Sequence, residues 1–186
     1  MAKYPELQFS QRPVDTCFDL DDAAMQSSYE MSRKTWNVLV QNGRQAYVDN
    51  RDGKITPSLS AIAHINLIVT GAISGLARGS KQLAIAHAFY NHSTHLFPEQ
   101  WRTYLHGEIV SVGLGAQMYM NGMPEDECRQ LQDIAGDLGV PTRLRQLGIE
   151  PTGETLDRVC CTIADGFPDF TTENRQKLRE GLEIIA

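Results

Sequence analysis

Length, composition and charge are those of an ordinary globular domain, and they exclude several functional classes. The chain has 186 residues, of which 41% are hydrophobic and 22% are charged, enough to build the core of one compact domain. Its 23 acidic and 17 basic residues give a net charge of -6, and no block of basic residues is present. A surface for nucleic acid or for an anionic membrane is therefore not indicated.

The four cysteines indicate reduced thiols rather than a disulfide framework. Cys17, Cys128 and the adjacent Cys160 and Cys161 show no C-x-x-C spacing of the kind that binds structural zinc. The N-terminal residues lack the apolar stretch of a secretory signal. We therefore expect a cytoplasmic protein that does not associate with a membrane.

The first quarter of the chain predicts an irregular segment followed by a long helix. Residues 1–20 contain two prolines in a polar run and are expected to be irregular. Apolar residues then recur at helical spacing through residues 25–47, and D-N-R-D-G at 49–53 ends this helix in a turn. The turn resembles half of a calcium-binding loop, but Val48 and Leu59 stand at its outer ligand positions and cannot bind calcium.

A long uncharged stretch follows. Thr56 and Pro57 suit the N-cap and first position of a helix, which is predicted to reach about Thr70. The glycine-rich residues 71–79 are predicted to form a bend between two helices. Residues 58–77 carry no formal charge and are long enough to span a bilayer. The polar side chains among them favour a buried helix in a soluble core instead.

The rest of the chain predicts further helices and no strand. Ser80 suits the cap of a helix that runs through Ala88, and a short helical turn is predicted from Pro98. Later helices are predicted over residues 107–120, from residue 124, and over residues 154–164 and 172–185. Because no run of alternating β-branched residues occurs, the fold class is predicted to be all-α, a multi-helix bundle formed by residues 21–186.

Four of the five histidines lie close together in the sequence. His87, His92 and His95 fall within nine residues, and His106 follows, just before Gly107 at a predicted helix start. One interpretation is that they are ordinary polar side chains along a helix end and a loop. The other is a metal site, in which two imidazoles converge on one ion and a carboxylate or water completes the shell. The alanines on either side of His87 would let another helix approach closely.

Two motifs contain these histidines. Residues 86–91 read A-H-A-F-Y-N and residues 105–113 read L-H-G-E-I-V-S-V-G. They resemble the A-H-A-x-x-N and H-G-E-x-V-x-x-G segments of the glycerol dehydrogenases, which are iron-type alcohol dehydrogenases. Residues 54–59 and 139–148 are similar to further segments of that family. The resemblance therefore covers roughly residues 22–186.

The resemblance implies the helical, metal-binding half of such an enzyme. It identifies His87 and His106 as ligands of zinc or iron, and it carries over no catalytic or nucleotide-binding residue. Glu108 is expected to interact with backbone N–H groups, and His92 and His95 are expected at the edge of the cleft. Residues 1–4 resemble the tail of the G-D-x-L-A-K segment that holds the family's third ligand, an aspartate. This aspartate and the N-terminal domain that binds NAD are therefore expected to be absent from the chain.

Three functions remain open. The first is the metal-binding half of an NAD-dependent polyol or alcohol dehydrogenase, inactive as an isolated chain, in which the metal acts on the substrate hydroxyl. It would act on a small alcohol or polyol, and it would pair with a second copy or with a partner chain that carries the N-terminal domain. The second is half of a lyase similar to dehydroquinate synthase, whose first histidine follows N-F-G, whereas His87 follows A-I-A. The third is a non-enzymatic helical module that pairs with a separate nucleotide-binding chain.

Overall fold

The computed structural model describes residues 23–77, 84–167 and 170–186, which form helices and turns without any strand. The predicted all-α fold class is therefore confirmed. The predicted irregular segment, residues 1–20, and the predicted cap at Ser80 lie outside the described residues. In chain order the helices are α1 (Ala23–Arg51), α2 (Pro57–His64), α3 (Thr70–Leu76), α4 (Ile85–Leu96), α5 (Pro98–Thr103), α6 (His106–Asn121), α7 (Glu125–Asp137), α8 (Gly153–Asp165) and α9 (Thr172–Ile184).

Helix α6 is the centre of the bundle. Nearly every residue from Ile109 to Asn121 is buried, and α4 and α9 pack against two of its sides. The helix begins where Oε2 of Glu108 accepts a hydrogen bond from the backbone N–H of Leu105 at 2.7 Å. It ends at Gly122, whose φ of 63° is in the left-handed region that favours glycine. Both ends of the central helix are thus fixed by local interactions.

The absence of a side chain at Gly113 lets α4 and α6 approach closely. A Cβ placed at Gly113 would lie 3.0 Å from Cβ of Phe89, and 3.1 Å from both Cα and the carbonyl oxygen of Ala86. The expectation that small residues beside His87 allow another helix to approach is confirmed on the Ala86 side. Because Ala86 directly precedes His87, this contact also sets the position of His87 relative to α6.

The largest core cluster forms where α4, α6, α8 and α9 meet. The absence of a side chain at Gly181 lets α9 approach α6 closely, as Gly113 does for α4. A Cβ at Gly181 would lie 3.3 Å from the carbonyl oxygen of Ala116. A short 3-10 turn, Leu144–Leu147, closes one end of the cluster. Its fully buried large side chains include Phe89, Ile109, Leu144, Leu147, Ile163, Leu178 and Leu182.

A buried carboxylate connects the end of α1 to the start of α2. Asp49 accepts hydrogen bonds from Nε2 of Gln45 at 2.8 Å and from the Thr56 hydroxyl. The Thr56 hydroxyl oxygen also accepts from the backbone N–H of Leu59 at 3.2 Å, so the predicted cap of α2, followed by Pro57, is confirmed. The hydrogen bond from Thr56, and then that from Gln45, hold the pKa of Asp49 below its ordinary value.

The predicted bend at the glycine-rich segment is wrong for the part that the structure describes. Helix α2 continues through a π-helical segment, Ile65–Val69, directly into α3, and Gly71 and Gly75 lie inside that helix. The Thr70 hydroxyl donates to the carbonyl oxygen of Ile65 at 2.9 Å. A glycine lowers helix stability by only about 1 kcal/mol relative to alanine, so the surrounding packing is enough to override it.

The predicted burial of this same helix is also wrong. Helices α2 and α3 pack against α1 on one side, whereas Leu67 and Ile68 are 82% and 57% exposed. Over the described ranges, Pro57–Leu76 is the one helix long and apolar enough to cross a membrane by length and composition. Only 11% of its most apolar 18 residues are buried. The lack of charge favours burial, but in the structure α1 covers only one side of the helix.

We predict that Gly113→Ala lowers the free energy of unfolding by about 1–3 kcal/mol, because the added methyl group would press on the Ala86 backbone, which cannot move aside as a flexible side chain can. The matched control is Gly136→Ala in α7, where a Cβ meets nothing within 4 Å, and we expect it to be neutral or stabilising. Urea unfolding followed by circular dichroism measures both. Equal effects of the two substitutions would contradict a packing limit at Gly113.

We also predict that Asp49 stabilises the fold less as the pH falls. A carboxylate whose pKa is lower in the folded chain than in the unfolded chain stabilises the fold above the unfolded pKa of about 3.9, and this contribution is lost as the pH falls through the folded pKa. The melting temperature of the wild type, relative to that of Asp49→Asn, should therefore decrease between about pH 5 and pH 3. Asp133→Asn, at an exposed carboxylate of α7, is the control. If the melting temperatures of wild type and Asp49→Asn change with pH in parallel, the proposed contribution of Asp49 is refuted.

Candidate functional site

Two of the clustered histidines lie side by side at the contact between α4 and α6. His87 is the residue after Ala86 in α4, and His106 is the first residue of α6. Their ring centroids are 5.4 Å apart and their ring planes are inclined at 50°. His87 is half-buried and His106 is exposed, so the pair is accessible from the surface.

The distance between the two rings suits two ligands of one ion. A tetrahedral zinc ion binds each imidazole nitrogen at about 2.0–2.1 Å. Since each ring centroid lies roughly 1 Å beyond its nitrogen, two rings on neighbouring tetrahedral positions have centroids about 5 Å apart. The 5.4 Å between His87 and His106 agrees with that geometry. Two imidazoles are also a donor set that suits zinc or iron.

A tyrosine that the sequence analysis did not single out completes this aromatic cluster. The ring centroid of Tyr90 lies 4.2 Å from that of His106, in an edge-on arrangement at 60°. Tyr90 also packs against two of the hydrophobic core clusters, which restricts its own movement. The available signal was its spacing, because a residue three positions after His87 in a helix lies on the same side of that helix.

Glu108 has the structural role expected of it. Its hydrogen bond to the backbone N–H of Leu105 occupies one carboxylate oxygen and holds the first turn of α6, which carries His106. Over the ranges that the structure describes, no group of three or more His, Cys, Asp or Glu side chains is arranged to hold a metal ion. The described residues therefore contribute His87 and His106 as a pair.

His92 and His95, the two histidines expected at the edge of the cleft, lie further along α4. His92 follows His87 by five positions in α4, which places it about 140° around the helix axis. Its Nε2 lies near the end of α8, where a Cβ placed at Gly166 would be 3.6 Å away. Burial, and then the proximity of His95, lower the pKa of His92. His95 is exposed.

Comparisons with known proteins agree with these motifs. No family model matches the chain. The glycerol dehydrogenase of Thermotoga maritima is 30% identical over 124 residues, which are 67% of this chain and 32% of that protein. The glycerol dehydrogenase of Citrobacter freundii is 27% identical over 142 residues, 75% of this chain and 37% of that protein. A probable glycerol dehydrogenase from Sinorhizobium meliloti 1021, of known structure, has a TM-score of 0.74 at 19% identity, and the match covers 98% of this chain and 50% of that one.

The chain is shorter than the proteins that it matches. It spans about a third of the length of the two curated relatives and half of the solved structure. The solved structure shows the shared fold, and the curated relatives show the shared sequence. The helical architecture is consistent with the C-terminal domain of those longer proteins. On sequence and fold together, the chain belongs to the glycerol dehydrogenase family and corresponds to a helical part of its longer members.

Proposed function

We propose that this chain is the metal-binding half of an NAD-linked alcohol or polyol dehydrogenase, with His87 and His106 as ligands of zinc or iron. The observation that carries the proposal is the 5.4 Å separation of two imidazole rings that lie in two separate family motifs. The names of the relatives, glycerol dehydrogenases, favour a small polyol as the substrate.

Local contacts within the chain orient both proposed ligands. The contact of Ala86 with Gly113 fixes the start of α4, and therefore His87. The hydrogen bond of Glu108 to the Leu105 N–H fixes the first turn of α6, and the ring of Tyr90 limits the rotation of His106. A pair that is already oriented loses less conformational freedom when it binds an ion.

A metal ion bound there would supply a Lewis acid that polarises the oxygen of the substrate. Neutral imidazoles add no negative charge, so His87 and His106 would leave the ion's positive charge available to that oxygen. Because His106 is exposed and His87 half-buried, a small polyol can reach the site from solvent. Water or groups from outside the described residues would complete the shell.

We propose that NAD is held outside this helical domain. The usual dinucleotide site is a strand, a glycine-rich turn and a helix in succession, whereas the described residues form helices and turns. The isolated chain is therefore proposed to be inactive and to act together with a domain that binds the nucleotide.

The cysteines support a cytoplasmic location. Cys128, Cys160 and Cys161 are free thiols, as expected of a reducing compartment. Burial raises the pKa of Cys128 and of Cys160, so both thiols stay protonated at neutral pH and are poor nucleophiles and metal ligands.

The metal site can be tested by titrating the untagged chain with Co²⁺, followed by absorption spectroscopy, and with Zn²⁺ by equilibrium dialysis. We expect weak but saturable binding, because water must fill the remaining ligand positions. His87→Ala and His106→Ala should each lower the affinity at least roughly tenfold, with unchanged circular dichroism. His95→Ala, which removes an exposed imidazole of α4, is the matched control and should bind as the wild type does. Equal binding by all four proteins would disprove the assignment.

We further propose that the chain associates through the exposed side of α2 and α3. Leu67 and Ile68 are exposed in the long apolar helix Pro57–Leu76, and soluble monomers rarely leave extended apolar patches open to water. The partner would be the nucleotide-binding domain or a second copy of this chain. A non-enzymatic helical module would associate through the same face.

Sedimentation velocity at micromolar concentration, with and without a separately expressed nucleotide-binding domain of a relative, tests this association. We expect the wild type to self-associate or to bind the added domain, and the double variant Leu67→Ser/Ile68→Ser to do neither. Ile184→Ser is the matched control, because Ile184 is 40% exposed but lies in α9 rather than in α2, α3 or the turn before His106. A wild-type monomer that also ignores the added domain would count against both the missing-half proposal and the partner-chain alternative.

A further inference from the structure

A cavity on the other side of α6 has no part in the proposed function. Its volume is about 510 Å³, which is within the range of about 300–1,000 Å³ typical of small-molecule sites. Helices α6, α7 and α9 and the residues just before the 3-10 turn surround it. From α6 it is lined by Ser111, Gly115 and Met118, which recur on one side of a helix. His106 is five positions before Ser111, about 140° away around the helix axis.

Ser111 lines the cavity and carries an unsatisfied hydroxyl. The residue is 9% exposed, and its Oγ is buried without a hydrogen-bond partner. Most buried hydroxyls in proteins do have a partner, because an unsatisfied one destabilises the fold. Ser93 shows the usual solution, since its hydroxyl donates to the carbonyl oxygen of Phe89 four positions earlier at 2.7 Å. Rotation of the Ser111 side chain toward the cavity would let a ligand there supply the partner that its hydroxyl lacks.

The charged side chains around the cavity favour an anion. Arg129, Arg143 and Lys177 line it, against a single acidic residue, Glu125. Glu125 lies 3.6 Å from Arg129, so this pair is close to neutral. Arg143 is held in place by a hydrogen bond from Nη1 to the carbonyl oxygen of Ile184 at 2.9 Å, and its other guanidinium donors remain. Lys177 is half-buried and forms no ion pair within the part of the chain that the structure describes.

Much of the remaining wall is apolar. Met118, Met123 and Leu131 are buried and line the cavity. Methionine side chains are flexible and polarizable, so they adapt to the shape of an aliphatic ligand. A ligand that matches this wall has an apolar body attached to its charged group.

We propose that this cavity is a second ligand site, for a small organic carboxylate with a short aliphatic chain. The carboxylate would accept hydrogen bonds from Lys177, from the guanidinium of Arg143 and from the hydroxyl of Ser111. The aliphatic chain would pack against Met118, Met123 and Leu131. Because the cavity is on the side of α6 away from His87 and His106, the site is separate from the proposed metal centre.

Isothermal titration calorimetry of the full chain with octanoate, below the micelle-forming concentration of octanoate, tests this site. We expect saturable 1:1 binding. Octanol lacks the charge and acetate lacks the chain, so each should bind at least roughly tenfold more weakly. Equal binding of octanol would show a merely apolar cavity, and no saturable binding of octanoate would reject the proposal.

Variants assign the binding to the named side chains. Lys177→Gln and Ser111→Ala should each weaken octanoate binding roughly tenfold, since each removes a hydrogen bond to a charged group. Lys54→Gln, at an exposed lysine beyond the end of α1, is the matched control and should bind normally. Ser111→Ala should also melt at the same or a higher temperature without ligand, because it removes a buried hydroxyl that has no partner. Equal weakening in Lys54→Gln and Lys177→Gln would show nonspecific attraction by charge and overturn the proposal.

His106→Ala separates this site from the metal centre. It should bind octanoate as the wild type does, because the cavity does not include His106. Loss of octanoate binding in this variant, with unchanged circular dichroism, would mean that octanoate binds at the histidine pair and would overturn the proposal.

Discussion

The close contact between the backbone of α4 at Ala86 and α6 at Gly113 determines the geometry of the histidine pair. His87 is one residue from this contact, and His106 is seven residues, about two helical turns, before Gly113. The backbone approach fixes where the two side chains begin, and their rotamers then bring the ring centroids to 5.4 Å. Interiors are packed too densely for such a contact to change without moving its neighbours. The A-H-A and H-G-E-x-V-x-x-G segments each combine a candidate ligand with the residue that positions it.

Features encoded by neighbouring residues could be predicted from the sequence. Thr56 and Pro57 start α2, Pro98 starts α5, and Pro124 directly precedes α7, because caps and prolines act within one helical turn. The role of Glu108 was predictable for the same reason. The pairing of His87 with His106 is different, because only the resemblance of two motifs to a known family connects two residues nineteen positions apart.

Features that depend on distant contacts could not be predicted. The absence of charge in residues 58–77 favours burial, but burial depends on which other elements pack against the helix, and α1 covers only one side. The glycines of α3 indicate a bend because glycine has a low helix propensity. That propensity contributes only a small free energy, and packing overrides it. The contact of Tyr90 with His106 and the cavity beside Ser111 arise from the crossing of several helices. No local pattern specifies those crossings.

Because α6 is buried on nearly all sides, it cannot rotate or shift without moving the helices packed against it. Rotation about its axis would drive Gly113 into α4 and Ala116 into α9 at the same time, since α6 touches both neighbours through residues that have little or no side chain. The directions in which His106 and Ser111 project are thus locked relative to each other. Adaptation to anything that binds on either side has to come from the side chains and from the shorter outer helices. The central helix therefore holds two opposite surfaces in a constant relative orientation, so binding at one surface should not change the geometry of the other.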